Sequence, residues 1–158
     1  MNIFYLSSNI EECARFHCDR HVNKMILESA QLMASVHRLT DPKADEIPYL
    51  YRLTHKNHPC AIWARESLDN YEYLFSLCLF LNEEAKYRYG HSKDHLSFEK
   101  VNNWPVPSIV AKGFTEPPKC VHDDFKGYDS TVEAYRAYYR RDKADIATWT
   151  KRSKPYWY

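Results

Sequence analysis

The spacing of apolar and polar positions predicts helices and no other regular structure. Met1–Ser7 is short and apolar (Ile3, Phe4, Tyr5, Leu6) and is expected to tuck against a core. Ser8-Asn9-Ile10-Glu11 has the S-x-x-E form of a capping box, so a helix should begin there. Helical periodicity runs on to about Leu39, with a break expected near Cys18–Arg20. Pro42 ends it, because proline disfavours helical geometry in the residue before it, and Asp41–Pro48 follows as a polar loop. A second helical region opens at His58-Pro59, with proline in the first turn, where its missing N–H costs nothing. It continues through Ile62, Trp63, Leu68, Tyr71, Leu74, Phe75 and Cys78 to Tyr89, with a kink expected near Ser67–Asn70 and Gly90 as the stop.

Leu74–Leu81 is apolar all round apart from Ser76, the mark of a central buried helix. His91–Tyr128 carries Pro105, Pro107, Pro117 and Pro118 with little periodicity, so a long irregular segment folded over the helices is expected. A last helix, capped by Ser130 or Thr131, carries Val132, Tyr135, Tyr138 and Tyr139 and should end near Asp145. The expected fold is therefore all-α, a single-domain helical bundle with a long irregular Pro-rich segment. At 158 residues the chain is long enough for one domain with a real core.

Composition narrows the chemistry. Three glycines are too few for a Gly-rich phosphate loop, and neither such a loop nor a dinucleotide fingerprint occurs. No apolar run approaches the ~20 residues that cross a bilayer, so no membrane partner is expected. Five cysteines (Cys13, Cys18, Cys60, Cys78, Cys120) with no C-x-x-C pair read as reduced thiols of a cytoplasmic protein.

The first helix carries the most distinctive pattern. His17, His21, Lys24, Glu28, Gln31 and Ser35 follow i, i+4, i+7, i+11, i+14, i+18 spacing and share one face, opposite Val22, Ile26, Met33 and Val36. A solvated polar face is the ordinary explanation. Yet Glu28 is the only charged residue between Met25 and Val36, which favours a partly apolar cleft over an open surface. Glu28, Lys24, His21 and His17 are accordingly the candidate catalytic residues, with Gln31 a candidate substrate contact.

Two other chemistries are weaker. Cys13, His17 and His21 share a face that Cys120 and His122 can join, but no familiar zinc spacing is present, and no metal or other cofactor is expected. Cys18 and His17 are adjacent, and helical neighbours point about 100° apart, so they form no nucleophilic pair unaided.

The C-terminal stretch is basic and aromatic. Tyr135–Tyr158 carries seven Lys or Arg against two Asp, interleaved with seven aromatic residues. Cations meeting phosphates and rings stacking on bases suit nucleic acid. The alternative is that the tyrosines, at i, i+3, i+4 spacing, pack on the core. Arg65, Arg136 and Arg140 are the candidate phosphate contacts, and His58 and Trp63 candidates for lining the same cleft.

Asp19-Arg20-His21 followed by Glu28 resembles the D-x-H-x6-E pattern of the pyrimidine-dimer DNA glycosylases of the phage endonuclease V type, which are small all-α enzymes. Tyr71–Gly90, with Leu74, Glu84 and Arg88-Tyr89-Gly90, is similar to their central helix, and the aromatic basic tail is similar too. The whole chain also resembles a family of phage proteins with H-x-D-x-H-x-x-K-M and N-H-P motifs, here His17–Met25 and Asn57–Pro59. The glycosylase resemblance implies an α-amine that attacks the sugar C1′ to form a Schiff base, with Glu28 assisting and His21 as the neighbouring histidine. Asn2 is too large to favour removal of the initiator, so Met1 is the candidate source of that amine, with Lys24 the other; the third alternative is that no covalent step occurs and Glu28 activates water. Leu27 and Gln31 stand where the family carries arginines.

The leading expectation is thus an N-glycosyl-bond enzyme acting on DNA or nucleotides, on a damaged or modified pyrimidine. A nucleotide or base-modifying transferase or hydrolase of a phage pathway is the alternative enzyme. A non-catalytic inhibitor or adaptor that binds a host protein is the alternative outside enzymology. Host cytoplasm is the expected location, and the oligomeric state is left open.

Overall fold

Seven α-helices and no strands make up the regular structure in the computed structural model, which describes Met1–Tyr158. They are α1 (Ile10–Phe16), α2 (Asp19–Thr40), α3 (Pro59–Glu66), α4 (Leu68–Tyr89), α5 (Leu96–Val101), α6 (Asp123–Lys126) and α7 (Thr131–Asp142). No helix is long and apolar enough to cross a membrane.

Capping chemistry explains most of the boundaries. The first cap is Asn9 rather than Ser8: its side chain accepts the Glu12 N–H at 2.9 Å, while Ser7 Oγ bonds the Glu12 carboxylate. The expected break falls at His17 and Cys18, both extended, so α1 and α2 are separate helices. Likewise Ser67 is extended, ends α3 and caps α4 through the Asp69 N–H. His58 caps α3 with Pro59 behind it. Gly90 closes α4 at φ 69°, a left-handed conformation that costs glycine little.

The segment 91–128 is less irregular than its prolines suggest. It contains α5 and α6, of six and four residues, too short for periodicity to reveal. The last helix stops at Asp142, and a 3-10 turn over Ala144–Ile146 follows it.

The two long helices, α2 and α4, pack on each other, with α1 against α4 and α3 against both. Val22, Ile26, Met33 and Val36 of α2 meet Leu74, Leu77, Cys78 and Leu81 of α4 in one contiguous apolar cluster. Truncating such a fully buried Leu costs about 2–5 kcal/mol.

A second, ionic assembly ties the helix ends together. Arg88 is wholly buried and donates to Glu84 (2.7 Å), Asp19 (2.9 Å) and the Arg15 carbonyl (2.9 Å). Arg152 of the tail also donates to Glu84, and Asp19 accepts from Thr148 and Thr150. Asp19 of the first motif and Glu84 and Arg88 of the central helix thus form one clamp, which joins the α1–α2 corner, the end of α4 and the tail.

The N-terminal segment positions the site. Ile3, Phe4, Tyr5 and Leu6 are buried. Phe4 stacks on the His21 ring at 4.3 Å, whereas Asn2 reaches Glu28 two turns further along, so the segment runs antiparallel to α2. Arg136 holds it through the Leu6 carbonyl, and Tyr135 through Asn2.

Candidate functional site

The polar face of α2 is not an open surface. His17, His21, Glu28 and Ser35 are buried, Gln31 is partly covered, and only Lys24 is freely exposed. The apolar N-terminal segment lies along this face. A sequence pattern of polar residues on one helix face cannot show that another part of the chain covers it.

That covering delivers the α-amine to Glu28. The Met1 nitrogen is 3.7 Å from Glu28 Oε2, and the Asn2 N–H donates to the same oxygen at 3.0 Å. Lys24 Nζ lies 3.3 Å from Oε1 on the outer side. The Glu28 side chain is 12% exposed and that of Lys24 59%, so the lysine rather than the carboxylate faces solvent. Asn2 fixes the terminus from behind. Its Nδ2 donates to the Cys120 carbonyl at 3.0 Å, and the Tyr135 hydroxyl lies 2.7 Å from its Oδ1. Glu28 therefore holds one backbone hydrogen bond and two cations, with acceptor capacity to spare.

His17 and His21, the expected proton-transfer groups, lie buried in the core beneath the N-terminal segment. His17 Nδ1 lies 2.8 Å from the Cys13 carbonyl, and its buried Nε2 has no partner. His21 Nδ1 is 2.6 Å from the Tyr139 hydroxyl. Neither makes a hydrogen bond or ion pair with Glu28. Burial lowers the pKa of His17 to about 4. Burial, helped by the nearby cations, lowers that of His21 to about 3. Both rings are neutral near pH 7.

The other expected contacts divide. His58 lies beside the amine: burial lowers its pKa first, then the Met1 α-amine and His55, against an opposing effect of Glu28. Trp63 is buried elsewhere, with Nε1 donating to Thr115. Arg65 donates to the Lys56 carbonyl. Arg136, engaged with Leu6, packs against Phe16, Tyr156 and Trp157, and Arg140 donates to the Trp157 carbonyl. Arg141 of the basic tail pairs with Asp124 and Asp142 at the exposed surface, and Arg152 pairs with the buried Glu84. Arg136, Arg140 and Arg152 thus hold the tail to the rest of the fold.

The thiol and imidazole groups also regroup. Cys13, His17 and His21 are each engaged with other partners and form no ligand set, Cys13 bonding the backbone of Phe4 and Leu6. Instead His58, Cys60 and Cys120 bring donor atoms within 4.8 Å of one another. The H-x-C step at the start of α3 was a visible hint, but Cys120 is sixty residues away and no spacing rule connects it.

One polar surface depression lies away from Glu28, between Asn23, Asn82, Lys86, His91, Asp94 and His95. Within it Asp94 accepts from Asn82 and Lys86. The Met1–Glu28 pair, which joins a potential nucleophile to a carboxylate with acceptor capacity to spare, is the stronger candidate on chemical grounds.

Comparisons with protein-family models, with curated proteins and with solved structures returned no match to this chain.

Proposed function

We propose that the protein cleaves or exchanges an N-glycosyl bond of DNA or of a nucleotide, with the Met1 α-amine as nucleophile and Glu28 as its proton partner. The observation that carries this reading is the placement of the amine 3.7 Å from a largely buried carboxylate. An α-amine suits the role because its ordinary pKa is near 8, against about 10.4 for lysine, so more of it is unprotonated at neutral pH. The resemblance of Asp19, His21 and Glu28 to the endonuclease V-type glycosylases supports the same chemistry.

In this scheme the amine nitrogen bonds to the sugar C1′ as the bond from C1′ to the base breaks. The departing base takes up a proton, and the amine gives one up. Ring opening then yields an iminium linkage between Met1 and C1′, which water hydrolyses to restore the amine. Glu28 carries protons in these steps and stabilises the positive charge that develops on the sugar. Lys24, exposed beside it, meets the phosphate or sugar of the substrate.

Borohydride trapping tests the amine directly, because it reduces an iminium to a stable bond. Incubation with DNA containing damaged or modified pyrimidines, or with abasic-site DNA, should give a covalent adduct that peptide mapping places on Met1. An N-terminally acetylated chain should give none. An adduct mapped to Lys24, or no adduct with any substrate, contradicts the role of the amine.

A further inference from the structure

His58 and Cys60 flank the first turn of α3, and Cys120 arrives from the irregular segment that follows Pro117 and Pro118. Their donor atoms lie within 4.8 Å of one another, and the two sulfurs are 3.5 Å apart. Cys60 is fully buried, whereas His58 and Cys120 are partly exposed, so the cluster has an inner wall and an outer opening.

These distances suit one metal better than the alternatives. Zinc binds sulfur at about 2.3 Å and imidazole nitrogen at about 2.0–2.1 Å in a tetrahedron, which puts its ligand atoms roughly 3.5–3.8 Å apart. The sulfurs already meet that spacing, and rotation of the imidazole by about an ångström completes it. A disulfide would instead need the sulfurs to close to about 2.05 Å. A thiol–thiol hydrogen bond is weak and leaves the histidine unexplained.

We infer that His58, Cys60 and Cys120 form a binding site for a borderline-soft divalent cation of the zinc class, with the fourth position open to water or a small ligand. Three donors of this kind with a vacant position match the pattern of accessible zinc sites rather than closed structural ones. Two thiolates cancel the charge of the dication, so the neighbouring ion pair of Met1 and Glu28 meets a neutral complex. Binding through His58 Nδ1 uses the lone pair that accepts the Cys60 N–H at 3.2 Å, so the metal–nitrogen bond replaces that cap bond. The bound ion would join the start of α3 to the segment around Cys120, whose carbonyl in turn holds Asn2.

The site is independent of the glycosyl-bond reading, since its test needs no substrate. The full chain, reduced and freed of metal, is titrated with Co2+ and followed by absorbance. One equivalent should produce the thiolate-to-cobalt charge-transfer band and the visible bands of a tetrahedral centre, and Zn2+ should bleach both. Cys60→Ser and Cys120→Ser should each weaken the charge-transfer band, the double variant should abolish it, and Cys78→Ala should leave it intact. Helicity by circular dichroism checks that each variant is folded. No band in the reduced wild type overturns the proposal, as does a band that persists in the folded double variant. A Cys60–Cys120 disulfide in the purified protein, with no cobalt taken up after reduction, overturns it in favour of a redox pair.

Discussion

Two polar clusters built from motif residues differ in how fully their charges are matched. In the clamp, Glu84 accepts from Arg88 and twice from Arg152, while Asp19 accepts from Arg88, Thr148 and Thr150. Every carboxylate oxygen there has partners, and Arg88 is wholly buried. At the other cluster, Glu28 has a single backbone hydrogen bond, and its two cations stand at 3.3 and 3.7 Å. The clamp carboxylates have no free acceptor to offer, whereas Glu28 has acceptor capacity to spare. Conspicuous charged residues in one chain therefore separate into scaffold and candidate chemistry by their partners, not by their type.

Breaking the clamp should have the largest effect on stability. Arg88→Ala leaves the buried Glu84 and the partly buried Asp19 with one guanidinium fewer, and should cost about 3–5 kcal/mol in urea unfolding. If the loss is under about 1 kcal/mol, the clamp is not the scaffold described here.

Acid should come next, through the histidines under the N-terminal segment. Their folded pKa values, about 4 for His17 and about 3 for His21, lie below the unfolded value near 6.5. Below pH 6.5 the unfolded chain takes up protons that the folded one refuses, so stability present at pH 7 drains away as pH falls towards 4 and 3. A loss of about 3 kcal/mol from each histidine is expected by pH 4, and His21→Phe should remove about half of it. Asp19 and Glu84 contribute lower down. For both, burial raises the pKa, but hydrogen bonds from Thr150 and Arg88 to Asp19, and from Arg152 and Arg88 to Glu84, win and lower it. Their share is therefore present above about pH 4 and lost below it. A profile flat from pH 7 to 4 would show that the histidines are charged in the fold.

Tyr135→Phe tests how the amine is held. It removes the hydroxyl beside Asn2 and Pro118 that also accepts the Cys120 N–H, and should cost about 1–2 kcal/mol. The same change should lower the yield of borohydride adduct more than it lowers stability, because the terminus is loosened. Lys24→Ala should have the smallest effect, within about 0.5 kcal/mol, since its ion pair is exposed and screened by solvent.

The helices were legible because their caps and periodicity are local. Ser67, Pro59, Gly90 and Ser130 each mark a boundary through chemistry confined to a few residues. The short helices α5 and α6 were not, since one turn or two gives no period to read. Glu28 stood out by isolation from other charges. Its pairing with Met1 came from the endonuclease V resemblance, and the reason the amine can reach it lies in the burial of Ile3–Leu6 on the same helix face. The burial of His17 and His21 is not legible in the helix pattern, because the segment that covers them comes from another part of the chain. The joining of Cys60 to Cys120 depends on how a long proline-rich segment returns to α3, which no local pattern encodes.

The most direct test of the division between the two clusters is release of free base, measured by mass spectrometry, from damaged or modified DNA and from a nucleotide mixture. Wild type, Glu28→Gln and Arg88→Ala are compared at equal concentrations of folded protein. The account predicts that Glu28→Gln loses activity by about 10²-fold or more with stability changed by less than about 1 kcal/mol, while folded Arg88→Ala retains it. Base release that survives Glu28→Gln, or no release from either pool by wild type, would contradict it.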